Sequence, residues 1–205
     1  MTEELGFTDI YHRAQSDLTE RCLHWLEALL RYRLPPARTL ELGCAHGGFV
    51  FLLKTLGFDS LGLEMSPWVT QKAGEFFDIA LITGSLEEHP EIPDSSLDLI
   101  FMMDVLEHLH DPETTLSACR RVLKDDGLIF IQTPEAITRE THEEMLVKRP
   151  LFAGMLIADE HLHLFTKDSL QECLRRTGFC HLQFEPAIFH FYDMFAVASP
   201  SALPA

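Results

Sequence analysis

An α/β fold, with helices on both faces of a mostly parallel sheet, is what the order of patterns along this chain predicts. Three observations point to it. Strand-like and helix-like spacings of apolar residues alternate from residue 38 to residue 132. The run Leu97-Asp-Leu-Ile-Phe-Met-Met103 is almost continuously apolar, as a strand covered on both faces must be. Finally, residues 179–184 and 191–198 read as two strands with no helix-length segment between them, hence an antiparallel hairpin that brings the sheet to seven strands.

Each element has its own local reason. Over 17–34, Leu18, Cys22, Trp25, Leu26 and Leu29 recur at helical spacing until Pro35-Pro36 stops the pattern. Residues 38–43 form a short strand, and Phe49, Leu52, Leu53 and Leu56 then mark one face of a helix closed by Gly57. A second strand covers 60–65. Ser66-Pro67 pairs a cap with a first-turn proline and opens a short helix ending near Gly74, after which 78–83 is a third strand. Strand 97–103 follows a loop with Pro90 and Pro93. Asp111-Pro112 repeats the cap-and-proline signal, Leu116, Cys119 and Leu123 line one face, and Asp125-Asp126-Gly127 turns into strand 128–132. Residues 134–165 have no clean period and read as an insertion with some helix. Thr166 caps a helix carrying Leu170, Cys173 and Leu174, terminated by Gly178.

Composition narrows the partners. The 205 residues are 46% hydrophobic and 23% charged, the make-up of one globular domain. Its expected parts are an N-terminal helical cap (1–36), a ligand-binding core (37–133), a lid insertion (134–165) and a C-terminal helix and hairpin (166–205). The net charge of −16 would repel nucleic acid and anionic lipid. Five cysteines without a CxxC pair argue against a disulfide framework or a zinc site, so reduced thiols in the cytoplasm are expected. The first residues, Met-Thr-Glu-Glu-Leu-Gly, lack the basic and apolar character of a secretory signal and no apolar run is long enough to span a bilayer, so a soluble cytoplasmic protein is the expectation.

In a parallel sheet of this kind, ligands bind at the carboxyl ends of the strands. The first strand ends in Glu41-Leu-Gly43-Cys44-Ala45-His-Gly47-Gly48, a turn of small residues that lets backbone approach a ligand before a helix begins. Two readings compete. Gly43, Ala45 and Gly48 form a degenerate dinucleotide fingerprint with Glu64 about 20 residues on. Glu41, an acid on the strand itself, instead implies a polar or cationic group to be met there.

Taken together, Glu41-x-Gly43-x-x-x-Gly47, Glu64, Gly84-Ser85-Leu86-Glu87, and Phe101-Met-Met103-Asp104-Val-Leu-Glu107-His108-Leu109 with Asp111-Pro112 resemble the class I S-adenosylmethionine-dependent methyltransferases. The tail, from Glu160-His161-Leu-His163 to the final strand, is similar as well, so the resemblance runs from Thr39 to Ala198. It is nearest to the small-molecule branch with the ubiquinone-biosynthesis O-methyltransferases. It implies a Rossmann-like fold, S-adenosylmethionine as cofactor and S-adenosylhomocysteine as product. Glu41 and Gly43 would then meet the methionine end, Cys44, Ala45 and Gly47 would complete the cofactor-binding turn, and Glu64 would meet the ribose. Met65, Ser85 and Leu86 would meet the adenine, and Met103 and Asp104 the region of the sulfur. Ala45 stands where the family usually has a second glycine. Ser85 stands where many members have Asp.

Methyl transfer to a hydroxyl also needs a proton acceptor, and histidine suits that task near neutral pH. His108 beside Glu107 is one candidate; His161 and His163, which alternate with Leu162 and so share a side, are two more. No established ligand spacing supports a metal. The expected function is methyl transfer to a small organic acceptor, through oxygen, by a monomer or homodimer. An NAD-dependent oxidoreductase and a non-catalytic methyltransferase-like partner subunit are the alternatives. The insertion and the N-terminal helix with Tyr11 and His12 would close over the cleft, while Met145, Leu146, Leu151, Phe152, Met155, Leu156 and Ile157 would either line an apolar acceptor pocket or pack the lid or a dimer contact.

Overall fold

The computed structural model describes residues 20–136, 141–148, 150, 153, 160–187 and 193–203. The expected fold class is present. Helix α1 (Arg21–Tyr32) precedes β1 (Arg38–Leu42), α2 (Gly48–Thr55), β2 (Asp59–Glu64), α3 (Pro67–Phe77) and β3 (Ile82–Thr83). Then come β4 (Leu97–Met103), α4 (Pro112–Val122), β5 (Leu123–Pro134), α5 (His142–Lys148), α6 (Lys167–Arg176), β6 (His181–Glu185) and β7 (Asp193–Ser199). The seven strands run in the order β3-β2-β1-β4-β5-β7-β6. The first five pair in parallel, and β7 lies antiparallel between β5 and β6.

Alternation along the central strands explains why both faces are covered. Ile100 and Met102 of β4, with Ile129 and Ile131 of β5, point into a core shared with Leu116 and Cys119 of α4 and Leu170 and Leu174 of α6. Their neighbours Leu99, Phe101, Leu128 and Phe130 point the other way, onto Trp25 and Leu29 of α1 and Phe49 and Leu53 of α2. Across that second face runs an aromatic ladder. Trp25 meets Phe49 edge-on at 5.6 Å, Phe49 meets Phe101 at 5.1 Å, and Phe101 stacks on Phe130 at 5.2 Å.

Local signals at helix starts hold. The Ser66 hydroxyl accepts from the Val69 N–H, Asp111 from the Thr114 N–H, and Thr166 from the Ser169 N–H. Three boundaries differ from expectation. Helix α3 continues past Gly74 to Phe77, because Ala73 and Phe77 are buried and Phe77 packs on Phe51 with ring centroids 4.9 Å apart. Tertiary burial there outweighs the helix cost of glycine. As a consequence β3 shrinks from the expected 78–83 to two residues, with Asp78 becoming a left-handed C-cap at φ 53°. The turn at Asp125-Asp126-Gly127 does not precede β5 but interrupts its pairing. The register jumps from Leu97↔Leu123 to Leu99↔Leu128, so the extra residues form a bulge within one strand.

Leu18, Tyr11, His12, Leu151, Phe152, Met155, Leu156 and Ile157 lie outside the described residues, whereas Met145 is buried in α5 and Leu146 is exposed there. No helix among the described residues is long and apolar enough to cross a membrane. Phe130 is fully buried at the inner end of the ladder, stacked on Phe101. Phe130→Ala should therefore cost about 3–5 kcal/mol of stability in urea denaturation, and a loss under about 1 kcal/mol would contradict the ladder's role.

Candidate functional site

Strand order reverses between β1 and β4, and the chain diverges there to opposite sides of the sheet. Just beyond these two strands the backbone turns left-handed, at Gly43 (φ 63°), Ala45 (φ 47°) and Gly47 (φ 75°) after β1 and at Asp104 (φ 56°) after β4. A side chain at Gly43 would place its Cβ 2.6 Å from Cγ2 of Val105, so only glycine keeps the two turns this close. Ala45 adopts the same unusual region with a methyl group, and its N–H donates to Oε2 of Glu64 at 3.1 Å. The other oxygen of Glu64 accepts from the Ser66 N–H at 2.9 Å. One carboxylate thus ties the turn after β1 to the start of α3.

Two spaces meet at Gly43. The wider, about 280 Å³, is lined by Leu42, Leu63, Met65, Gly84, Ser85, Leu86, Val105 and His108, among others. Leu86 is buried in its floor, while Met65 at its rim is 64% exposed. Ser85 caps a single 3-10 turn (Leu86–Glu88), its N–H donating to Glu88 at 3.0 Å. The narrower space, about 90 Å³, is lined by Arg21, Trp25, Glu41, Gly43, Cys44, Ala45, Met103 and Asp104, among others. Glu41 is only 5% exposed there. Burial, with Glu41 and Glu64 nearby, pushes the Cys44 thiol well above its ordinary range and keeps it protonated. Of the eleven residues expected to meet a cofactor, nine line these joined spaces; Glu64 stands behind them, bonded to the Ala45 N–H, and Gly47 acts through the turn, where a Cβ would strike Ile79 at 2.8 Å.

Behind the narrow space is a polar chain that the sequence patterns did not bring out. The Trp25 indole N–H donates to Oε1 of Gln132 at 2.9 Å, and the Gln132 amide donates to Oδ1 of Asp104 at 3.0 Å. Arg21 donates to the other oxygen of Asp104, which pins α1 over the ends of β4 and β5. A polar Gln at the end of an otherwise apolar strand was the available signal.

Glu107 is 1% exposed, and its Oε2 accepts from the Thr133 hydroxyl at 2.9 Å. Burial pushes its carboxyl up to about 7, against the opposing effects of its backbone hydrogen bond, Thr133 and Arg21. Of the three candidate histidines, His108 and His161 come together, with ring centroids 4.8 Å apart. His108 Nδ1 lies 2.7 Å from the Glu160 carbonyl, and its Nε2 lies 3.9 Å from Oε1 of Glu107. Burial, then the neighbouring His108, lowers the pKa of His161. His163 is not in that group. Its N–H donates to the Glu107 carbonyl at 3.1 Å, but its ring packs beside Phe165 at 5.8 Å. The segment does alternate as expected, with Leu162 and Leu164 exposed. The sequence reading assigned no metal, yet Glu107, His108 and His161 offer ligand atoms within 4.8 Å of one another.

Asp193, at the start of β7, was also missed, although an acid opening the apolar run Met-Phe-Ala-Val was visible. It is 7% exposed, and burial, with repulsion from Glu107 and against the pull of Arg21, raises its carboxyl to about 7. Between its ordinary 3.8 and that value the folded state holds a proton the unfolded state has lost, so this group's contribution to stability falls as pH rises. The stability gained by Asp193→Asn should accordingly grow from pH 4 to pH 7, by on the order of a few kcal/mol, and level off above. Denaturation curves across that range check it; a pH-independent difference would contradict burial of an ionisable acid.

A methyltransferase-domain family model matches residues 13–183. A probable S-adenosylmethionine-dependent methyltransferase of Mycolicibacterium smegmatis is 31% identical over 110 residues, covering 53% of this chain and 42% of that protein. A ubiquinone biosynthesis O-methyltransferase of Glaesserella parasuis is 28% identical over 119 residues, covering 54% and 49%. The chain thus spans about half the length of the curated relatives it matches. Among solved structures, a SAM-dependent methyltransferase from Archaeoglobus fulgidus superposes with TM-score 0.67 at 18% identity, over 93% of this chain and all (100%) of that one. A methyltransferase of Haloferax volcanii, solved in complex with the activator Trm112, gives 0.70 at 18% identity, over 93% and 95%. The family match and the superpositions agree: the chain belongs to the methyltransferase-domain family and carries the class I fold whose cofactor is S-adenosylmethionine.

Proposed function

We propose that the protein transfers the methyl group of S-adenosylmethionine to an oxygen atom of a small organic acceptor. The observation that carries this reading is the meeting, at Gly43, of a wide, largely apolar space with a narrow, polar one. A flat nucleoside suits the first and a charged amino-acid end the second. The residues fit that division. Glu41, Gly43, Cys44, Ala45 and Gly47 would hold the amino-acid end, and Glu64 the ribose hydroxyls. Met65, Ser85 and Leu86 would enclose the adenine. Met103 and Asp104 would stand beside the sulfur.

S-adenosylmethionine supplies, when bound, a methyl group already activated on a sulfonium. What remains for the chain is to orient the acceptor, exclude water and take up a proton. Arg21 and Trp25 on α1 close one side of the narrow space. The hydroxyl proton would leave toward the Glu107, His108 and His161 group, of which His108 lines the wide space. A proton-accepting group there favours a hydroxyl acceptor over an alkylated carbon. The curated relatives named as ubiquinone biosynthesis O-methyltransferases support the same choice. His163, turned toward Phe165, has no part in it.

The test is incubation of the purified protein with S-adenosylmethionine and a panel of phenols, aliphatic alcohols and amines, with product mass and S-adenosylhomocysteine release as readouts. O-methylated product is expected. N-methylated product alone would overturn the choice of atom, and cofactor binding with no turnover across the panel would favour the partner-subunit reading. Glu64→Ala should weaken S-adenosylhomocysteine binding by about 1.5–3 kcal/mol, roughly 10- to 150-fold, in calorimetric titration. Unchanged affinity would move the ribose away from Glu64.

A further inference from the structure

We propose that Glu107, His108 and His161 form a binding site for a divalent transition-metal ion, which holds the acceptor hydroxyl for methylation. The second half of this statement rests on the reading above; the ion site itself does not. The ligand atoms of the three residues lie within 4.8 Å of one another. A first-row ion needs donors about 2.0–2.2 Å away, which puts them some 3–4 Å apart, so small side-chain rotations complete the set.

The orientation of His108 is the strongest argument. Its Nδ1 lies 2.7 Å from the Glu160 carbonyl oxygen, which can only accept, so Nδ1 carries a proton and donates it. In the neutral ring Nε2 then bears a lone pair. That lone pair lies 3.9 Å from Oε1 of buried Glu107, too far for a hydrogen bond. An imidazole lone pair and a carboxylate oxygen facing each other at this separation can both reach one ion placed between them. A backbone carbonyl fixing the far nitrogen of an imidazole is also the usual outer support of a metal-bound histidine. Glu107 has comparable support, since its other oxygen accepts from Thr133 at 2.9 Å.

His161 supplies the third donor. Its ring centroid is 4.8 Å from that of His108, and its Nδ1 is buried with no hydrogen-bond partner among the described residues. A buried imidazole nitrogen left in this state costs free energy unless something else meets it. Two imidazoles and one carboxylate favour zinc, manganese or iron over magnesium or calcium. Three protein ligands also leave open positions. An acceptor hydroxyl bound in one of them would lose its proton to water more readily, through the ion's charge, with His108 and His161 then serving as ligands in place of a direct proton acceptor. Its oxygen would bond to the methyl carbon as the carbon–sulfur bond breaks, releasing S-adenosylhomocysteine.

The experiment uses the full chain, stripped with a chelator and then titrated calorimetrically with Zn²⁺ and with Mn²⁺. One ion per chain is expected, with affinity falling at least tenfold in His161→Ala while S-adenosylhomocysteine affinity stays within twofold. Binding that His161→Ala leaves unchanged, or no stoichiometric binding, overturns the site. Co²⁺ in the wild-type protein gives a check that needs no variant: visible bands of nitrogen ligation support the site, and bands of an oxygen-only shell overturn it. Methyl-transfer assays with and without the ion separate the two readings. Ion binding without methylation of any hydroxyl would leave the site standing and defeat the acceptor role, whereas O-methylation at full rate in stripped protein would defeat the ion's part in the reaction and leave the proposed function standing.

Discussion

The site depends on a backbone constraint at the centre of the sheet. Immediately after β1 the chain turns left-handed at Gly43, and just after β4 it does so again at Asp104. Val105 then packs where a Gly43 side chain would have been. Because these strands are neighbours at the point where strand order reverses, the two turns face each other and open the joined spaces between them. A non-glycine residue at positive φ is costly, and Asp104 tolerates it because its carboxylate is held by Gln132 and Arg21 and its N–H donates to the Gln132 carbonyl at 2.9 Å.

That same chain of contacts couples stability to the site. The aromatic ladder fixes Trp25, the Trp25 indole fixes Gln132, and Gln132 fixes Asp104. Packing on the α1 face thereby sets the position of a carboxylate at the site's wall. The opposite face does the corresponding work through Leu116 and Leu170, which hold α4 and α6 against β4 and β5. Between the faces, buried acids accumulate at the strand ends. Glu41, Asp193 and Glu107 are each nearly inaccessible, and desolvation raises the latter two. A fold gains nothing in stability from such groups, which is the physical mark of residues kept for what they bind.

Much of the fold was legible because its signals are local. Ser66-Pro67, Asp111-Pro112 and Thr166 start helices where their capping chemistry requires, and the apolar run of β4 could only be central. Where expectation and structure part, a non-local contact decided. Phe77 extends α3 past Gly74 by packing on Phe51, and β5 absorbs a turn that looked like its boundary. The turn residues from Glu41 to Gly47 and Glu64 were readable from small side chains and one misplaced acid. The approach of His161 to His108, and of Asp193 to Glu107, was not, because each pair is joined only by the return of a distant segment to the end of β4. Alternation placed His161 and His163 on one side of the chain, but only the packing of Phe165 shows which of them reaches the cluster.

The most direct test of the division of the site is a crystal structure of the protein with S-adenosylhomocysteine. The adenine should lie over Leu86 between Met65 and Val105, the ribose against Glu64, and the amino-acid end over Gly43 toward Glu41. A nucleoside bound away from the ends of β1 and β4, or with its ends exchanged between the two spaces, would contradict it.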